Sequence, residues 1–79
     1  MQHAANTLMQ DATAKALIVN GELAETAAAT LAALVESLGF AESAVATALN
    51  GAFVPRAQRS ATQLAPGDRV EIVAPRQGG

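Results

Sequence analysis

The spacing of apolar positions along this chain changes period, and each change marks a predicted element. Lys15-Ala16-Leu17-Ile18-Val19 is a β-favouring run that stops at Asn20-Gly21. An Asn-Gly pair readily takes the positive φ angles of a two-residue hairpin turn, which predicts a return strand from Glu22 to about Ala28. That return segment is alanine-rich, so its prediction rests on the turn rather than on propensity. The period then lengthens. Leu31, Leu34, Val35 and Leu38 fall at i, i+3, i+4 and i+7, one face of a helix, with Thr30 placed to cap its start and Gly39 placed for a left-handed stop. Burying those four side chains stabilises the domain by about 1.5–3 kcal/mol each, before the entropy of ordering them is subtracted.

Beyond the helix, Val45, Thr47 and Leu49 alternate with Ala44, Ala46 and Ala48. A second Asn-Gly pair, Asn50-Gly51, turns the chain into Ala52-Phe53-Val54, and Pro55 ends that short strand because it cannot donate to a ladder. Arg56 to Leu64 reads as a polar connection with room for a helical turn, and Pro66-Gly67 as another turn. The last strand runs from Arg69 to Ala74, with Val70, Ile72 and Ala74 toward the helix and Glu71 and Val73 outward. Hairpin, helix, hairpin, last strand is an α+β order. It predicts one mixed sheet with one main helix packed across one face, and the last strand central and parallel to the first. The predicted organisation is a mobile N-terminal extension over 1–14 (a short helix is the alternative), a domain over 15–75 and a flexible tail over 76–79.

Composition narrows the function classes. At 79 residues the chain holds one domain, and its 51% apolar content is largely alanine, with Phe40 and Phe53 the only aromatics. Cysteine is absent, so there is no disulfide, no thiolate metal site and no side chain to carry a persulfide. The five basic residues are scattered in a chain of net charge −2, with neither the basic stripe nor the stacking aromatics that nucleic-acid binding calls for. No apolar run reaches membrane-spanning length and the first residues lack a signal-peptide pattern, so a cytoplasmic protein is expected. The seven acids form no pair with a base and no metal-ligand spacing, and the lone His3 sits in the N-terminal extension. An independent enzyme is therefore disfavoured, and no bound cofactor or metal is expected.

The remaining signal is the ending. A C-terminal Gly78-Gly79 builds no core, but without β-carbons it can thread its carboxylate into a slot where a side chain would clash. Asn20, Gly21, Asn50, Gly51 and Gly67 are explained as turn residues, Leu64 as a core plug and Asp68 as a partner for the turn before the last strand. Gly79 has no comparable structural role.

Taken in order, these pieces resemble the ubiquitin-like β-grasp sulfur carriers, and among them the ThiS family of thiamine biosynthesis. The resemblance runs from Ala16 to Gly79. It is carried by Ile18-Val19-Asn20-Gly21, Thr30-Leu31 with Leu34-Val35, Leu49 through Arg56, Leu64, Gly67-Asp68, Val70-Glu71-Ile72-Val73 and the final diglycine. It implies a carrier rather than a catalyst. An adenylyltransferase of the ubiquitin-activating type would use ATP to convert the Gly79 carboxylate to an adenylate. Sulfur from a persulfide protein would then leave a thiocarboxylate, and thiazole synthase would receive that sulfur. Gly78 would lie in the threaded tail. Ile18, Ala48 and Val73 would form an outward apolar patch for docking, or be ordinary exposed apolar residues. Arg76 would meet acidic groups or ATP phosphates, or be a solvated charge that keeps the tail extended. A monomer forming transient hetero-complexes is expected. The alternatives are a carrier for another pathway, such as the small subunit of molybdopterin synthase, and a non-covalent β-grasp interaction module. Whatever its partners, Leu34→Asp should leave the domain unfolded by circular dichroism, because it puts a charge at the centre of the predicted buried helix face.

Overall fold

The computed structural model describes residues 14–74. Within them the chain forms β1 (Lys15–Val19), β2 (Glu22–Thr26), α1 (Leu31–Ser37), β3 (Ala46–Leu49), β4 (Ala52–Val54) and β5 (Arg69–Val73), with 3-10 turns at Glu42–Ala44 and Arg56–Ala61. The sheet order is β2-β1-β5-β3-β4. β5 is central, parallel to β1 and antiparallel to β3, as the element order predicts. Both hairpins close on Asn-Gly pairs whose two residues have positive φ, 51° at Asn20 and Asn50, 83° at Gly21 and 86° at Gly51. That geometry matches the right-handed twist of the flanking strands.

The helix lies across one face. Thr30 Oγ1 accepts the Ala33 N–H at 3.2 Å, and Leu31, Leu34 and Val35 are buried. Leu38 departs from expectation. It is the C-terminal cap and is 46% exposed, because the helix stops one residue before it. Gly39 then takes φ 87°, its N–H bonds the Glu36 carbonyl at 3.0 Å, and the Phe40 N–H bonds the Val35 carbonyl at 3.2 Å. This pair of bonds closes the helix end and turns Leu38 out of the core.

Three boundaries also differ from the sequence pattern. β2 ends at Thr26 rather than near Ala28, since Thr26 Oγ1 captures the Ala28 N–H at 3.0 Å and bends the chain away. Ala44 belongs to the 3-10 turn and not to the alternating strand, which starts at Ala46. Ala74 lies past the end of β5 and is exposed rather than facing the helix. The core itself is Leu17, Leu31, Leu34, Val35, Val45, Val54, Leu64, Val70 and Ile72, with Val19, Ala28 and Leu49 packed at its margin.

One charged residue joins that core. Arg59, from the connection that reads as polar, is 2% exposed. Its Nε donates to Thr47 Oγ1 at 3.0 Å, Nη1 to the Glu42 carbonyl at 2.8 Å and Nη2 to the Val45 carbonyl at 2.7 Å. Thr47 Oγ1 passes its own proton to the Val54 carbonyl at 2.9 Å. One planar guanidinium thus ties the second 3-10 turn to the approach to β3, and through Thr47 to β4. The same connection is held to the helix start by the Leu31 N–H on the Thr62 carbonyl and the Leu64 N–H on the Ala29 carbonyl, both at 2.9 Å. Among the described residues no buried side-chain nitrogen or oxygen lacks a partner. Arg59→Ala should cost about 3–5 kcal/mol in urea unfolding, by stranding buried carbonyls. Arg59→Lys should recover only part of that loss, since an ammonium cannot reproduce the planar fork.

Candidate functional site

The strand that leads toward the diglycine is the central strand of the sheet. β1 pairs with β5 only at Ile18–Arg69 and Val19–Val70, because β1 turns away at Asn20. On the other side β3 follows β5 from Val70 to Val73, where Ala46, the first residue of β3, meets Val73. β5 therefore projects beyond the end of β1. Asn20 fills the vacated position with its side chain. Its Oδ1 accepts the Ile72 N–H at 2.8 Å and its Nδ2 donates to the Ile72 carbonyl at 3.1 Å.

Asn50 does the corresponding work at the start of β5. Its N–H bonds the Arg69 carbonyl at 2.7 Å, and its Oδ1 accepts the Arg69 N–H at 2.9 Å. Its Nδ2 reaches Asp68 Oδ1 at 3.1 Å, while Asp68 Oδ2 accepts the Ala65 N–H at 2.8 Å and so shapes the preceding turn. Both asparagines are turn residues, as their sequence predicts, and both also extend the ladder of the central strand. That second task is not visible in the local pattern, because the partners lie 52 and 19 residues away.

The sheet face opposite the helix carries the candidate docking residues. The register sets Leu23 beside Ile18 and Ile18 beside Arg69, then Phe53 beside Ala48 and Ala48 beside Glu71, with Val73 beside Ala46. Val73 is 60% exposed, while Ile18 and Ala48 are half-buried. The two most exposed large apolar side chains of this face are Leu23 and Phe53, 77% and 69% exposed, and the sequence pattern does not single them out. The signal was available. A two-residue turn at 20–21 dictates that 18 faces 23, and one at 50–51 that 48 faces 53. Arg69 and Glu71 sit between the two apolar pairs on β5, so the face is an apolar band with a charged centre.

Gly78, Gly79 and Arg76 lie outside the described residues, as do Pro75 at the predicted end of the domain and residues 1–13 of the predicted N-terminal extension. The base from which the tail departs, Val73 and Ala74, is exposed. Among the described residues no cluster of His, Cys, Asp or Glu has metal-binding geometry, and no helix is long and apolar enough to cross a membrane.

The ThiS family model matches residues 17–79, which takes in β1 from Leu17, the rest of the sheet, the helix and the terminal diglycine. The chain belongs to the ThiS family. A crystal structure of the thiamine biosynthesis protein ThiS from Geobacter metallireducens superposes with a TM-score of 0.68 at 31% identity, over 81% of this chain and 99% of that one. No curated protein sequence matches the chain significantly. ThiS membership identifies the fold as a ubiquitin-like β-grasp and the coarse role as a sulfur carrier of thiamine biosynthesis. Because Leu23 and Phe53 contribute little to the core of this ThiS domain, Leu23→Ser and Phe53→Ser should each shift unfolding stability by less than about 0.5 kcal/mol, measured in urea.

Proposed function

We propose that the working group of this ThiS protein is the Gly79 carboxylate and that the folded body presents it. The observation that carries this reading is continuity. The central strand, paired on both sides, ends at Val73, six residues before the end of the family match, whose last two residues are glycines. A carboxylate is a poor electrophile at neutral pH. An adenylyltransferase of the ubiquitin-activating type would join it to the α-phosphate of ATP, releasing pyrophosphate and giving the carbonyl carbon a good leaving group. The terminal sulfur of a persulfide protein attacks that carbon and AMP departs. A thiol then cleaves the sulfur–sulfur bond, leaving the thiocarboxylate on Gly79 and a disulfide on the donor. On thiazole synthase the sulfur would pass to the thiazole precursor, and an oxygen from that precursor or from water would replace it and return the carboxylate.

The body has two tasks in this scheme. It must hold the tail base at a fixed place, which the pairing of β5 supports, and it must be recognised. The outer face offers Leu23, Ile18, Ala48, Phe53 and Val73 for docking, with Arg69 and Glu71 to orient a partner through charge. Arg76 would sit between that face and the reacting end, within reach of acidic groups or of ATP phosphates. The absence of cysteine supports a carrier whose sulfur resides on the terminus.

Intact mass spectrometry of the protein purified from its host should show a fraction in which one oxygen of the last residue is replaced by sulfur. Gly78→Ala should slow adenylation by about 100-fold, the scale of a misplaced reacting group, with thermal stability unchanged. Full activity of that variant would count against a tail threaded through a narrow slot.

A further inference from the structure

We propose that Asn20 is a positioning residue for the C-terminal tail, acting by clamping Ile72, the penultimate residue of the strand that carries it; the inference rests on the carrier reading above. The geometry starts from an imbalance. On its β3 side, β5 is paired through Val73, but on its β1 side backbone pairing ends at Val70, since the Asn20 N–H takes the Val70 carbonyl and the chain then turns. Ile72 points both its N–H and its carbonyl to that vacated side. A backbone pair left unbonded there would fray at the point where the strand hands over to the tail.

Asn20 meets both groups with one side chain. A carboxamide carries an acceptor and a donor in one plane, like a peptide unit, and the two bonds to Ile72 at 2.8 and 3.1 Å use both. The turn restricts which residues can stand there. At φ 51° the position favours glycine, asparagine or aspartate. Glycine has no side chain to reach β5. Aspartate keeps the acceptor but sets a second oxygen against the Ile72 carbonyl. Of the three, asparagine alone satisfies the turn and both groups of Ile72. Asn50 provides an internal comparison, because its Oδ1 likewise accepts a β5 N–H, that of Arg69 at the opposite end from the tail, while its Nδ2 turns to Asp68 and its backbone N–H takes the Arg69 carbonyl.

The clamp holds the base of the tail from the β1 side as β3 holds it from the other. With it released, Glu71 to Val73 are held by β3 alone, and the end of the strand must be re-ordered whenever the terminus enters an enzyme, a cost that falls on binding rather than on the bound chemistry. The test uses the full chain and its adenylyltransferase, with Asn20→Gly to delete the clamp while keeping the turn, Asn50→Gly for comparison, and Asn20→Asp as a second variant should the glycine protein fold poorly. In Asn20→Gly, exchange of the Ile72 amide should quicken by about tenfold or more, as expected when a bond of this strength is lost. The KM for the carrier in adenylation should rise by about fivefold or more with kcat nearly unchanged, and Asn50→Gly should lower stability without a comparable rise. Unchanged Ile72 exchange, or faster exchange with an unchanged KM, would overturn the proposal. Wild-type protein that accepts no adenylate would instead overturn the carrier reading, and the Ile72 exchange rates would then decide the clamp alone.

Discussion

The constraint from which the rest of this structure follows is that a central strand needs partners along both edges, and its neighbours here are too short to supply them unaided. β5 has five residues, yet β1 offers it only two backbone pairs. A domain of this size has little core to spare for unpaired polar groups, because each buried one costs as much as a good apolar contact contributes. The deficit is met by the side chains of the two hairpin turns. Each turn therefore serves at once as a reversal of the chain and as an extra rung for the strand beside it. The parallel placement of β5 next to β1 is thereby fixed in register by residues whose immediate purpose is a tight bend.

This dual use explains what the amino-acid pattern revealed and what it concealed. The hairpins, the helix cap at Thr30, the stop at Gly39 and the alternation of Val70 and Ile72 are local matters, set by φ preferences and by period, and they were legible. The order of the strands followed from connectivity. Leu38 misled because it continues the helical period past the point where Gly39 ends the helix, so its apolar character did not place it in the core. Leu23 and Phe53 belong to the outer face by turn parity, which alternation within a single strand does not reveal because it depends on the pairing between strands. Arg59 was illegible in a stronger sense. Nothing beside it in the chain distinguishes it from a solvated charge, and its acceptors come from Glu42, Thr47 and Val45, brought to it only by the finished fold.

The candidate site divides the same way. A diglycine ending is readable because its role depends on what it lacks, and no tertiary context is needed to see a missing β-carbon. The surface that a partner would recognise depends on register and is distributed over strands far apart in sequence. The body and the tail thus make separate demands on the chain. One asks for packing and pairing, the other, on the carrier reading proposed above, for the removal of anything that could obstruct passage.

The Arg59 network has an environmental consequence. All three of its acceptors are neutral, two carbonyl oxygens and one hydroxyl, and none is a carboxylate. Acid therefore has no partner to neutralise at this junction, and dissolved ions have little access to a group so fully enclosed. The tie between the polar connection and the sheet should hold across acidic and saline media in which a buried carboxylate pair would come apart.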